Sequence, residues 1–330
     1  MTSRVASTIV VALALAGCAS QNVVPLPEGV AIDRDLRGTY RASLCARPAM
    51  AGEACADVLR TYEGEVAAAR PPRADPAKYR LLFVPGFLAS CFPGIHSFAD
   101  VIEAAREAGY AADALAVGGR NGVAANGELV AQQVERIAGA DARRIILVGH
   151  SKGADDILDA LARHPALSSR VDAVLAIAGA LEGSPLAEDL HGLYGATLAW
   201  MPFTGCERGQ GDPVADLTAD ARAQWWTRNG AALATPVYAI VTRPDFSRLG
   251  FSLWGPYARL SALTPDNDGM LRSRDQVARR AMLLGVVNAD HLSVAIPHPG
   301  LMYLLVFNPT PFPRADVYLA AIDVIASQSP

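Results

Sequence analysis

The amino-acid sequence predicts an α/β domain built on a mostly parallel sheet with helices covering both faces. Short, fully apolar runs recur along the chain and stop at Gly, Pro or polar residues, and stretches with apolar residues at helical spacing separate them. No internal repeat or low-complexity segment interrupts this alternation. A strand buried on both faces reads as a continuous apolar run, and strand–helix–strand crossovers produce parallel pairing.

The chain opens with one positive charge, Arg4, then an apolar run from Ile9 to Ala16 that ends at Leu15-Ala16-Gly17-Cys18. That run is too short to span a bilayer, and charge, apolar run and small-residue site in this order read as a secretory leader. Small residues before a cysteine resemble the bacterial lipobox, whose cysteine is diacylated and becomes the new N-terminus. The resemblance implies a signal peptide over 1–17 and a lipid on Cys18. With Ala19 in place of an aspartate, it further implies sorting to the outer membrane of the cell envelope. Pro25, Pro27 and Gly29 make residues 18–39 read as a tether, with order expected near Tyr40 and one domain over 40–330.

Arg70-Pro71-Pro72-Arg73 and Pro76 punctuate an irregular stretch before Leu81-Leu82-Phe83-Val84, a buried strand stopped by Pro85-Gly86. Phe98, Val101, Ile102 and Ala105 follow at helical spacing, Gly109 closes that helix, and residues 112–117 supply another strand. A second helix carries Val130, Val134 and Ile137, and the strand Ile145-Ile146-Leu147-Val148 runs directly into Gly149-His150-Ser151-Lys152-Gly153. Ala154, Ile157, Leu158, Leu161 and Ala162 then form one helical stripe that Pro165 ends. Further strands are expected at 171–178, 237–242 and 282–287, with a closing helix over 314–326. Two aromatic-rich stretches fall outside the alternation, an insertion at about 180–234 with Trp200, Met201, Phe203, Trp225 and Trp226, and another at about 246–262 with Phe246, Phe251, Trp254 and Tyr257. Each either caps a site as a lid or packs as structure.

With 51% hydrophobic residues and 19% charged, the chain has enough apolar surface to bury a large core. Its net charge of −4, with scattered Lys and Arg, lacks the basic footprint of a nucleic-acid partner. Beyond Cys18 four cysteines remain, and disulfides suit an exported chain. The expected pairs are Cys45 with Cys55 as a local loop and Cys91 with Cys206 as a long-range clasp; the alternative is four buried thiols. No Cys or His spacing suggests a metal site, and no cofactor is expected.

Gly-x-Ser-x-Gly arises easily by chance, but here Ser151 lies between an apolar strand and an amphipathic helix. A nucleophilic serine needs its Oγ thrust out on such a turn, with flanking glycines leaving room for strained backbone. The plain alternative is a helix N-cap. An imidazole must take the hydroxyl proton, and His291, just past the last strand, stands where this architecture delivers its base. His298 is the rival; His150, His96, His164 and His191 lack that position. The carboxylate that holds the imidazole is Asp268, Asp245 or Asp266, all lying between Ser151 and His291 in chain order. Asp245 follows the strand 237–242 directly, whereas Asp266-Asn267-Asp268-Gly269 is also a good turn sequence. Backbone N–H groups must hold a developing oxyanion; Lys152 offers one and Phe87, with Leu88 as fallback, the other.

Pro85-Gly86-Phe87, Gly149-His150-Ser151-Lys152-Gly153, Asn267-Asp268-Gly269-Met270 and Asp290-His291-Leu292 together resemble the motif set of bacterial secreted lipases and esterases of the α/β-hydrolase fold. The resemblance spans roughly residues 80–295. It implies Asp268 as the acid, a cap or lid insertion, and two-step acyl transfer from a carboxylic ester with an apolar or acyl group. The chain departs from the pattern at Pro85-Gly86, where those lipases carry His-Gly, and at Ser293, where they carry a calcium-binding aspartate. Thioesters and polyesters are further substrates of the same chemistry. A catalytically silent envelope lipoprotein that uses the fold as a binding module is the reading from another class.

Overall fold

A computed structural model describes residues 23–24, 36–62, 65, 71–92, 94–196, 206–278, 281–297 and 307–329. Cys18 with its leader, Trp200, Met201, Phe203 and His298 lie outside these residues. The first elements are β1 (Val23–Val24), α1 (Arg37–Cys45), α2 (Glu53–Val58) and β2 (Thr61–Tyr62), with β1 and β2 paired in parallel as a small separate sheet. Helix α1 begins inside the stretch expected as tether. Leu36, Tyr40 and Leu44, spaced one helical turn apart, are all buried, so packing orders the chain before Tyr40.

The main sheet follows through β3 (Tyr79–Val84), α3 (Ala99–Glu107), β4 (Ala111–Ala114), α4 (Val123–Ala140), β5 (Arg144–His150), α5 (Lys152–Arg163) and β6 (Val171–Ile177). It is completed by α6 (Pro185–Ala196), α7 (Ala219–Asn229), β7 (Val237–Thr242), α8 (Trp254–Ser261), β8 (Ala281–Val287) and α9 (Arg314–Gln328). Its six strands run in the order β4-β3-β5-β6-β7-β8, and every pairing is parallel. The chain reverses its direction of travel across the sheet between β3 and β5. The carboxyl ends of those two strands therefore flank the switch point, where open α/β sheets place ligands.

Two apolar layers sandwich the sheet. Leu81 and Phe83 of β3 point into one, beneath Tyr40, Phe98, Val101, Tyr318 and Ile322 of α1, α3 and α9. Leu82 and Val84 point into the other, beneath Val130, Val134, Ile157 and Leu158 of α4 and α5. Successive side chains of a strand leave on opposite faces, so a continuous apolar run feeds both layers at once.

Helix α7 belongs to the second layer. Trp225 is buried in it and donates its indole N–H to Asp159 (2.9 Å), while Trp226 donates to the Leu181 carbonyl (2.7 Å). This part of the 180–234 insertion is structure and not a cap. The polar side of α5 is covered as well: Lys152, Asp155, Asp156 and Asp159 are all buried, and Arg222 of α7 pairs with Asp155 at 2.8 Å. No helix among the described residues is long and apolar enough to cross a membrane.

Candidate active site

Strand β5 ends at His150, and α5 begins at Lys152, so Ser151 alone makes the turn, with φ 53° and ψ −131°. A non-glycine residue held there is strained and persists only where its surroundings over-determine it. The surroundings leave no slack: a Cβ on Gly149 would lie 2.5 Å from Ala154 Cα, and one on Gly153 would lie 2.3 Å from the Val84 carbonyl. The glycines let α5 close onto the ends of β3 and β5.

His291 comes from the loop after β8, and its ring joins two other chain segments. Nδ1 lies 2.8 Å from Asp268 Oδ2 and Nε2 lies 3.0 Å from Ser151 Oγ. A carboxylate only accepts, so Nδ1 carries the proton in the neutral ring and Nε2 is left to accept from the serine hydroxyl. The His291 backbone N–H also donates to the Asp268 carbonyl at 3.1 Å. Asp268 Oδ1 accepts from the Met270 and Leu271 amides (2.9 and 2.7 Å), and Oδ2 also accepts from the Thr242 hydroxyl (2.6 Å) and Gln276 Nε2 (3.2 Å). Burial opposes ionisation of Asp268. The charge and hydrogen bond of His291, with the Thr242 and Leu271 donors, outweigh it and hold the carboxyl below its ordinary range.

The rival carboxylates are committed elsewhere. Asp245 is half exposed and its two oxygens meet Arg60 (2.9 Å) and Asn288 Nδ2 (2.8 Å). Asp266 pairs with Arg243 at 2.6 Å. Of the two amides considered beyond β3, Leu88 N–H is spent on the Gly119 carbonyl at 2.8 Å. Lys152 N–H opens α5, where the first amides have no acceptor within the helix. Cys45 is bonded to Cys55, and Cys91 to Cys206 across 115 residues of chain.

No protein-family model matches the chain, and no curated protein matches it. Among solved structures, the metagenomic carboxyl esterase MGS0156 superposes with a TM-score of 0.80 at 29% identity, over 91% of this chain and 93% of that one. The fold is the α/β-hydrolase fold. Mature lipase BlEst2 of Bacillus licheniformis shares it more distantly, with a TM-score of 0.53 at 24% identity over 66% of this chain and 87% of that one.

Several groups that shape this α/β-hydrolase site carry no sequence signal. Thr242 ends a strand that the apolar pattern reveals, but its bond to Asp268 depends on β7 and the 267–271 turn meeting. Gln276 bridges the same two segments through the Thr242 amide (2.8 Å) and carbonyl (3.1 Å). His150, passed over as a base, is buried with its ring 4.9 Å from that of His291, and its Nε2–H donates to the His291 carbonyl at 2.8 Å. Burial, reinforced by the His291 charge, pushes its pKa down to about 3, so it remains neutral. Asp290 is likewise buried, and its carboxylate accepts from the Gly250 (2.7 Å), Leu292 (3.1 Å) and Ser293 (2.7 Å) amides. Through Gly250 it ties down the 246–262 segment. There Phe246, Phe251 and Trp254 are exposed by 59, 61 and 46%, and both phenylalanine rings lean against Trp254, while Leu249 and Leu253 pack against Gly269.

Proposed function

We propose that the protein hydrolyses carboxylic esters through an acyl-enzyme on Ser151. The observation that carries this reading is the single chain of hydrogen bonds from Asp268 through His291 to the hydroxyl of a strained elbow serine. Ser151 Oγ attacks the ester carbonyl carbon while His291 Nε2 takes its proton, and Asp268 balances the imidazolium. The carbonyl electron pair moves onto oxygen, and the Phe87 and Lys152 amides hold the resulting oxyanion. Collapse expels the alcohol, which leaves with the proton from His291. Water then loses a proton to His291 and attacks the acyl carbon; collapse releases the acid as His291 returns the proton to Ser151 Oγ.

The exposed aromatic cluster beside the Asp268 turn favours an apolar or acyl ester over a charged one. A fluorophosphonate probe is expected to label Ser151 in folded protein and to block hydrolysis of p-nitrophenyl esters. Folded protein that neither labels nor hydrolyses would leave the fold as a binding module. The Leu15-Ala16-Gly17-Cys18 site supports a lipid anchor on Cys18 and placement at the outer membrane. Mass spectrometry of the native protein that finds an unmodified N-terminus elsewhere would end that part of the proposal.

A further inference from the structure

The two halves of the proposed oxyanion hole come from different segments, the turn after β3 and the start of α5. A tetrahedral oxyanion needs both donors about 3 Å from one point, so their relative position must be held closely. The segments meet directly where Val84 and Gly149 sit in register and where Gly153 and Gly86 pack against Val84 and Ser151. A second connection runs outside the sheet through three polar side chains.

The Lys152 side chain turns back along α5, and its Nζ meets Asp156 Oδ1 at 2.6 Å with both groups buried. The other oxygen of Asp156 accepts from Asn126 Nδ2 of α4 at 2.8 Å. Asn126 holds the loop before α4 as a backbone mimic would, its Oδ1 accepting from Gly118 N–H at 2.9 Å and its Nδ2 donating to the Gly118 carbonyl at 3.1 Å. The next residue grips the turn after β3. Gly119 accepts the Leu88 N–H at 2.8 Å and donates to Ser90 Oγ at 3.1 Å. Leu88, adjacent to Phe87, lies at φ 60°, a left-handed conformation that a leucine keeps only under restraint.

We infer that Lys152, Asp156 and Asn126 are positioning residues that fix the separation of the Phe87 and Lys152 amides through the Gly118–Gly119 loop. The inference rests on the hydrolase reading above. A buried ion pair is weak evidence for a stability role, because apolar replacements of similar volume are often as stable. What the pair does here is present Asp156 Oδ2 to Asn126 in one orientation. Burial, opposed by Lys152 and Asn126, pushes the Asp156 carboxyl up to about 6. Protonated or ionised, it still has an oxygen with which to accept from Asn126.

Two double variants separate this role from stability. K152M/D156N removes the charge pair but keeps an amide oxygen for Asn126, whereas K152M/D156L removes the pair and the acceptor together. Measured with a p-nitrophenyl ester, K152M/D156N is expected to lose less kcat than K152M/D156L, because an oxygen remains for Asn126. K152M/D156L should lose kcat roughly 10- to 100-fold with KM nearly unchanged, the scale of a misplaced or weakened oxyanion donor. Its affinity for a trifluoromethyl ketone should fall by the same factor, because Ser151 Oγ adds to the ketone carbon and leaves an alkoxide in the same hole. Asn126→Ala breaks the frame from the α4 side and should reproduce both losses, which keeps the test open if K152M/D156L does not fold. Equal kcat in the two double variants, wild-type kcat in Asn126→Ala, or a kcat loss with unchanged ketone affinity would overturn the inference. Wild-type protein that neither hydrolyses the ester nor binds the ketone would overturn the hydrolase reading and this one with it.

Discussion

At the scale of single residues, Asp268 and Asp245 differ in what surrounds them and not in chemistry. Asp268 is fully buried and spends one oxygen on His291, while Asp245 is half exposed and engaged by Arg60 and Asn288. Asp268→Asn should therefore cost roughly 10⁴-fold in kcat, since an amide can hold the imidazole in the wrong tautomer and cannot balance its charge. Asp245→Asn should cost under about tenfold, and steady-state kinetics on folded protein giving the reverse order would move the acid to the end of β7. Ser151→Ala and His291→Ala should each remove nearly all activity, with the double variant little worse, because the groups act as one unit. His150 makes a prediction about stability. Its pKa is depressed to about 3 in the folded protein, from an ordinary value near 6.5, so the unfolded chain binds more protons between these values. The stability it contributes is present above about pH 6.5 and is lost as pH falls towards about 3. His150→Gln should flatten the acid limb of urea midpoint against pH, by about 5 kcal/mol at most. An unchanged limb would mean that His150 takes up its proton in the folded protein as readily as in the unfolded chain.

At the scale of elements, α5 and α7 show why an apolar stripe is only part of a helix's environment. Ala154, Ile157, Leu158 and Leu161 predict which side of α5 faces the sheet, and they are buried there. The other side, with Lys152, Asp155, Asp156 and Asp159, has the composition of a solvated face, yet α4 and α7 bury it. A partner 66 residues away in sequence, Trp225 against Asp159, leaves no local periodicity to read. Because Trp225 packs in the core, Trp225→Ala should destabilise by about 3–5 kcal/mol, measured by chemical denaturation. A loss under about 1 kcal/mol would return α7 to the role of a detachable cap. The 246–262 segment divides differently: Leu249, Leu253 and Leu260 are buried, while Phe246, Phe251 and Trp254 remain exposed. Both halves are equally apolar in sequence, so only packing tells them apart.

At the scale of the whole molecule, the Cys91–Cys206 bond ties the segment after the β3 turn to the chain beyond α6. Closing 115 residues removes unfolded-state freedom worth about 4–5 kcal/mol in the chain-entropy model. Replacing both cysteines by alanine should lower the denaturation midpoint accordingly, and non-reducing peptide mapping that finds both thiols free in native protein would remove the basis for the effect.

The alternation of strands and helices, the elbow, the histidine after the last strand and the Asp-Gly turn are properties of short sequence windows. Apolar continuity, helical spacing and glycine placement act over a few residues, so the order of the sheet's elements and the candidates Ser151 and His291 could be read without coordinates, whereas Asp268 is preferred over Asp245 and Asp266 only through the resemblance to lipases. What the tertiary structure alone decided is which groups face one another across segments: Thr242 and Gln276 on Asp268, His150 on the His291 carbonyl, Asn126 on Asp156, and α7 over α5. Those contacts are hydrogen bonds between buried groups distant in sequence. Their partners are selected by geometry after the sheet has assembled, so no pattern within either segment records them.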